Sequence, residues 1–365
     1  MRFKKIIGAV LIAAIAGTGC SAVDITDNTV QETESVESFI TETETETEVV
    51  TSETEALVPW EFNPHVYSPK IAERIPEDYW DSFNNLCDAL REGETTFECS
   101  SYEAFEWCTD VSVLCNLFPA AGAKVEPAYF EETETTGNGT GNIRYTIPVE
   151  EYAERQADFE ALITGILNDN VESDDSDYEM ALKLYLYMAN NYEYDYDKDY
   201  DYDDNFVYHT FMCKKGVCVD FASVYAYLLL QVGIDAISVG CFEENMCHSW
   251  TYAVIDGRGY HIDPTWALKI NNDGVDYIYL DYFLMSDKER NIDGALVHDL
   301  TVSLVPEFWI NRTSLTLPAD DNSFNLRDYC NFESLDEENK ILNYVDMYGN
   351  EHEFYYEQNA SDKAA

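Results

Sequence analysis

The sequence predicts an α+β protein, and three observations predict it. Apolar side chains recur at helical spacing in several separate windows, and short β-prone runs bounded by turn residues lie between and after them. Of the 365 residues, 46% are hydrophobic and 14% aromatic, core material that a disordered acidic chain lacks. Charge restricts the function. With 71 acidic against 21 basic residues and a net charge of −50, the chain is no nucleic-acid binder that neutralises phosphates, and it would not dock electrostatically on anionic lipid. Its 10 Cys are too sparse for a disulfide scaffold.

The elements follow in order. Arg2, Lys4 and Lys5 precede an apolar run from Ile6 to Ala16, then small residues lead to Cys20. The run is too short to span a bilayer and reads as an export signal over residues 1–19. A Cys directly after the small residues resembles a bacterial lipoprotein signal, except that Gly17 stands where an apolar residue is usual. That resemblance implies cleavage before Cys20, lipid on its sulfur, and a place on the outer face of the bacterial cell membrane. Residues 20–58 are an acidic Thr/Glu-rich tether, extended because its charges repel and it has little apolar surface to bury.

Residues 59–150 read as a small α+β region. Tyr79, Phe83, Leu86 and Leu90 give a helix over 76–92, and Phe105 to Phe118 a second over 101–118; strands are expected at 94–99 and 141–147. Residues 151–295 form the main domain, with helices near 150–168 and 178–192. The stretch 191–208 is rich in Tyr and Asp. Its Asp195, Asp197 and Asp199 have calcium-loop spacing, but Tyr200 and Phe206 occupy the places of the required Gly and Glu, so the match fails. A helix then runs from Gly216 to about Gln231, with strands near 236–242, 248–255, 259–263 and 276–284. Residues 296–365 are a β-prone extension.

Chemistry concentrates in the main domain. Cys218 falls at a helix N-terminus, where unpaired amides and the helix dipole favour a thiolate. His248 opens a strand, Asp256-Gly257-Arg258-Gly259 makes a tight turn, and Tyr260-His261-Ile262-Asp263 returns. An even-length loop pairs residues whose numbers sum to an odd value, which puts His248 and Asp263 on one face of the hairpin. Nucleophile, base and orienting carboxylate then stand in the order that acyl transfer needs. His261 is expected to be a structural hydrogen-bonding residue. Cys213 and Cys247 flank the site in sequence and are expected to pack or to pair elsewhere.

GVCVDFASVYAYLLLQVGI, then HSW, then GYHIDPTW resemble the transglutaminase-like superfamily of Cys-His-Asp enzymes over roughly residues 178–285. The resemblance implies a papain-like core, with the nucleophile on a helix N-terminus packed on an antiparallel sheet. It makes Cys218 the nucleophile, His248 the base and acid, and Asp263 the orienter, acting through a thioester. An oxyanion hole needs the Cys218 N–H and one more donor, for which Tyr208 is the candidate and Thr210 the alternative. The expected activity is a protease or amidase acting on protein or cell-wall peptide, ahead of a crosslinking acyltransferase; the alternative is a non-catalytic surface scaffold of the same fold. No cofactor is implied, and no Cys-x-x-Cys or His-x-x-x-His suggests a metal. The membrane is reached through lipid on Cys20, and no nucleic acid is a partner.

Overall fold

The computed structural model describes residues 58–133, 138–196, 206–243, 246–272, 274–291, 300, 302, 304 and 316–357. The signal, Cys20, the tether and the middle of the Tyr/Asp stretch lie outside them. Residues Glu55–Ala365 cluster as one unit.

After the short α1 (Pro69–Ala72), α2 (Glu77–Glu92) carries Glu77 and Asp78 in its first turn, Arg91 in its last, and Gly93 in the left-handed region as its stop. It buries Trp80, Phe83, Leu86 and Leu90. Strand β1 (Thr96–Cys99) leads into α3 (Tyr102–Cys108) and α4 (Val111–Leu117). The single helix expected over 101–118 is therefore two. Thr109 Oγ1 turns back to the Phe105 carbonyl at 2.6 Å, and Asp110 starts α4 by accepting from Ser112 N at 2.7 Å. Strands β2 (Val125–Glu132) and β3 (Gly139–Tyr145) complete an antiparallel sheet of order β1-β3-β2. Strand β2 was not expected, because only Val125 along it is buried and no apolar alternation marks it.

Helices α5 (Val149–Asn170) and α6 (Asp177–Asn191) follow, the second started by a Ser176–Glu179 capping box. Strand β4 (Glu193–Tyr194) pairs in parallel with β5 (Lys215–Gly216) across α7 (Phe206–Cys213). Helix α8 (Cys218–Gln231) is buried along its whole length from Asp220, which explains its largely apolar sequence. It packs on the antiparallel sheet of β6 (Ala236–Glu243), β7 (Met246–Ile255) and β8 (Arg258–Ile262), in that order. The β7–β8 loop is the two-residue turn Asp256-Gly257, with φ of +49° and +74°. Thr251 faces Ile262, so the odd-sum register holds.

The strand expected at 276–284 is instead a small hairpin, β9 (Ile270–Asn272) with β10 (Val275–Tyr277), then a 3₁₀ turn at Leu280–Tyr282. That turn delivers the Tyr282 carbonyl to Asp263 N at 2.9 Å, holding β8 where it enters the site. Helix α9 (Asp287–Arg290) comes next, started by a Ser286–Glu289 capping box. The C-terminal sheet, β11 (Asn331–Asp336), β12 (Ile341–Val345) and β13 (Glu351–Tyr355), docks on α6 through buried Glu179. Glu179 accepts from Tyr356 Oη at 2.6 Å and Lys340 Nζ at 2.8 Å, while Tyr178 stacks between Tyr356 and Phe324.

Candidate active site

Gly216 admits the chain to the nucleophile. A Cβ there would stand 2.9 Å from Asp220 Cβ and from Thr210 Oγ1, so only glycine fits where β5 turns into α8. Asp220 caps the start by accepting from Val217 N at 2.8 Å. Cys218 is the first residue of α8, half-buried, with its sulfur against β7. Burial works to raise its pKa. The hydrogen bond with His248 and the backbone N–H groups of Ser249 and Val219 overcome that, and the thiol is held below its ordinary value.

His248 and Asp263 meet across the hairpin. The His248 Nε2–Asp263 Oδ2 distance is 2.6 Å, which leaves Nδ1 for the thiol. Burial disfavours the imidazolium, but Asp263 and Cys218 together raise His248 to about 9, against a push downward from Arg290. Thiol below its usual range and imidazole above it describe a thiolate–imidazolium pair. Asp263 is fully buried; its Oδ1 accepts from Thr265 N at 3.1 Å, and its Oδ2 lies 3.2 Å from Arg290 Nη2. Arg290, also fully buried, sits over the Trp250 ring at 4.2 Å. The carboxylate thus lies between the imidazole and a fully buried guanidinium, and removing it would strand the Arg290 charge.

Trp266, half-exposed, lies over the outer side of the pair and stacks on Tyr282 at 5.5 Å. Its Nε1 is 3.0 Å from His248 Nε2, a nitrogen already committed to Asp263 by a shorter, charge-assisted bond. Its role is to shield that bond from water. His261 shares the face of Asp263 one residue beyond Ile262, fully buried. It accepts from Trp250 Nε1 on Nδ1 at 3.0 Å and reaches Asp287 from Nε2 at 2.9 Å. This is the structural histidine expected, and it locks the indole on which Arg290 rests.

Both oxyanion candidates are held by packing. The Tyr208 ring is packed under the Arg155 guanidinium at 3.2 Å and beside Phe159, both on α5. It is spoken for by packing. Thr210 is fully buried against Gly216. A phenol that feels the thiol is Tyr194, whose ring packs on Phe221 of α8: burial raises its pKa first, and the charge of Cys218 raises it further. Sequence reasoning passed it over inside a run of alternating Tyr and Asp; only the parallel β4–β5 pairing brings it beside α8. Arg290 was missed too, since a lone Arg in a four-residue helix carries no pattern. Cys213 is exposed and lies 3.8 Å from His209 Nδ1, and exposed Cys247 alternates to the other face from His248. Among the described residues neither bonds to Cys218.

This arrangement has relatives. Residues 165–264 match the transglutaminase-like superfamily. The match holds α8, His248 and Asp263 and ends one residue beyond the carboxylate, so the core of the fold is transglutaminase-like; α9, with Arg290, lies outside it. Two solved structures are similar over part of the chain. One is described as a TGase, with 17% identity, 48% of this chain and 52% of that chain covered, and a TM-score of 0.26. The other is a candidate cysteine protease from Cytophaga hutchinsonii, with 19% identity, 35% and 52% covered, and a TM-score of 0.20. The chain spans about half the length of each. No curated protein matches it.

Proposed function

We propose that the chain is a thiol-dependent hydrolase of peptide or carboxamide bonds, tethered outside the cell by lipid on Cys20. The observation that carries the chemistry is the buried line from Asp263 through His248 to a thiol held below its ordinary pKa. The Cys218 thiolate attacks the carbonyl carbon. The oxyanion meets the Cys218 N–H and the Tyr194 hydroxyl, and His248 gives its Nδ1 proton to the leaving amine. A thioester remains. Water, deprotonated by His248, then releases the acid, while Asp263 keeps the imidazole in one tautomer throughout. Hydrolysis is preferred to crosslinking because water needs no binding site, whereas a lysine acceptor requires one.

The test is the pH dependence of Cys218 alkylation by iodoacetamide, read by peptide mapping, in wild type and His248→Ala. The expected result is a rate already high near pH 6 and lost in the variant. An ordinary thiol profile near pH 8.5 in both proteins would sink the proposal and leave a scaffold of the same fold. With reactivity established, ammonia or new carboxyl ends released from protein substrates separate hydrolysis from lysine crosslinks.

A further inference from the structure

Two of the contacts that place Asp263 come from one segment, residues 280–290. At its start the Tyr282 carbonyl accepts from Asp263 N at 2.9 Å, and at its end Arg290 Nη2 lies 3.2 Å from Asp263 Oδ2. Between them Met285 and His261 exchange backbone bonds of 2.9 and 2.7 Å, so the segment runs as a strap along β8. The strap has little regular structure of its own, a 3₁₀ turn and a four-residue helix. Leu284 in its middle is fully buried with φ of +48°, a left-handed conformation that is unfavourable for leucine.

Arg327, just before β11, holds the strap in that shape. Its Nη1 donates to the carbonyls of Leu280 at 3.4 Å and Phe283 at 3.2 Å. Its Nη2 donates to the Leu284 carbonyl at 3.2 Å and to Glu289 Oε2 at 3.1 Å. Glu289 in turn caps α9 by accepting from Ser286 N and Oγ. One planar guanidinium therefore ties the 3₁₀ turn, the strained leucine and the helix that carries Arg290, a spread of acceptors that a single ammonium does not match. The next two residues, Asp328 and Tyr329, are also left-handed, at +68° and +63°, and Tyr329 N reaches Asp281 Oδ1 at 2.8 Å. Strain of this kind persists only where surrounding contacts over-determine the backbone.

We propose that Arg327 is a positioning residue for the catalytic carboxylate: through the strap it places Asp263, and through Asp263 the His248 ring. Its effect at Cys218 rests on the hydrolase reading; the fastening of the strap does not. Arg327 lies beyond the family match at 165–264, so the C-terminal extension takes part in the site.

The experiment measures amide exchange by NMR and the pH dependence of Cys218 alkylation in full-length wild type, Arg327→Met and Arg327→Lys. In Arg327→Met, exchange at Asp263 and His261, whose N–H groups bond the strap, is expected to quicken about 10-fold, the effect of losing one hydrogen bond to a charged group. Amides of α8 should keep their rates. The alkylation profile should move toward that of an ordinary thiol, with the rate near pH 6 falling about 10-fold, since a misplacement of about 1 Å costs up to about 100-fold. Arg327→Lys keeps the charge and guards against a variant that fails to fold; both changes should appear in it, smaller. Wild-type exchange at Asp263 and His261 in both variants, or faster exchange spread equally over α8, would overturn the proposal. An ordinary thiol profile in the wild type would instead sink the hydrolase reading, and the exchange rates would still decide whether Arg327 fastens the strap.

Discussion

One hairpin carries two histidines, each paired with an aspartate, and the two pairs behave oppositely. His248 with Asp263 is pushed up to about 9, while His261 with Asp287 is pulled below its ordinary value. Residue types and distances are nearly the same, 2.6 Å against 2.9 Å. Complete burial is the largest cause of the lowering at His261, with the Arg290 charge adding to it, and the second nitrogen differs as well. His248 turns Nδ1 to a thiol that becomes an anion, so each of the imidazolium's two N–H groups has an anionic acceptor. His261 turns Nδ1 to the Trp250 N–H, a donor, which requires a lone pair and hence a neutral ring. Burial is also more complete at His261, and Asp287 is partly exposed where Asp263 is not. A carboxylate alone does not make a base. The partner on the far side of the ring does.

The sharpest way to break the comparison is Asp263→Asn. It leaves the Arg290 charge buried without its carboxylate, a change that costs about 3–5 kcal/mol, read as a lower urea midpoint. His248 should at the same time lose its elevated titration by NMR. His248→Ala comes next: near pH 6 an ordinary thiol is ionised to well under 1%, so Cys218 alkylation is expected to fall about 100-fold. His261→Gln should leave that rate within about 3-fold and cost about 1–2 kcal/mol of stability through the Trp250 bond. A 100-fold loss in this variant would erase the distinction between the two pairs.

Stability against pH separates them further. His248 is raised from 6.5 to about 9, so its contribution is complete below about pH 6.5 and is lost as pH rises through about 9. His261 is lowered, so its contribution is present above its unfolded value and is lost as pH falls through its folded one. His248→Gln should therefore flatten the alkaline limb of a urea-midpoint profile, and His261→Gln the acid limb. The smallest effect concerns the shared cation. Arg290→Met removes the charge that pushes His248 down, and the His248 titration midpoint is expected to move up. A downward movement would mean that Arg290 acts through the shape of the Asp263 pocket instead.

Much of this is legible in the sequence alone. Apolar spacing located α2, α5, α6 and α8 to within a residue or two, because each hides a defined stripe or, for α8, its whole circumference. The hairpin register followed from loop parity, which chain geometry alone enforces. Strand β2 escaped because its burial is almost nil, and the break at Thr109–Asp110 because a capping carboxylate inside an apolar run leaves the periodicity intact.

Sequence determined what is local: the class of fold, the helix that presents Cys218, and the parity that sets His248 and Asp263 on one face. The tertiary structure decided everything that joins distant segments. It brought Arg290 from α9 to share Asp263 with His248, and packed the Tyr208 ring under Arg155. Local rules act over a few residues, through backbone sterics and side-chain period. Protonation states and thiol partners depend on which remote groups burial brings together, and that information exists only once the core has closed.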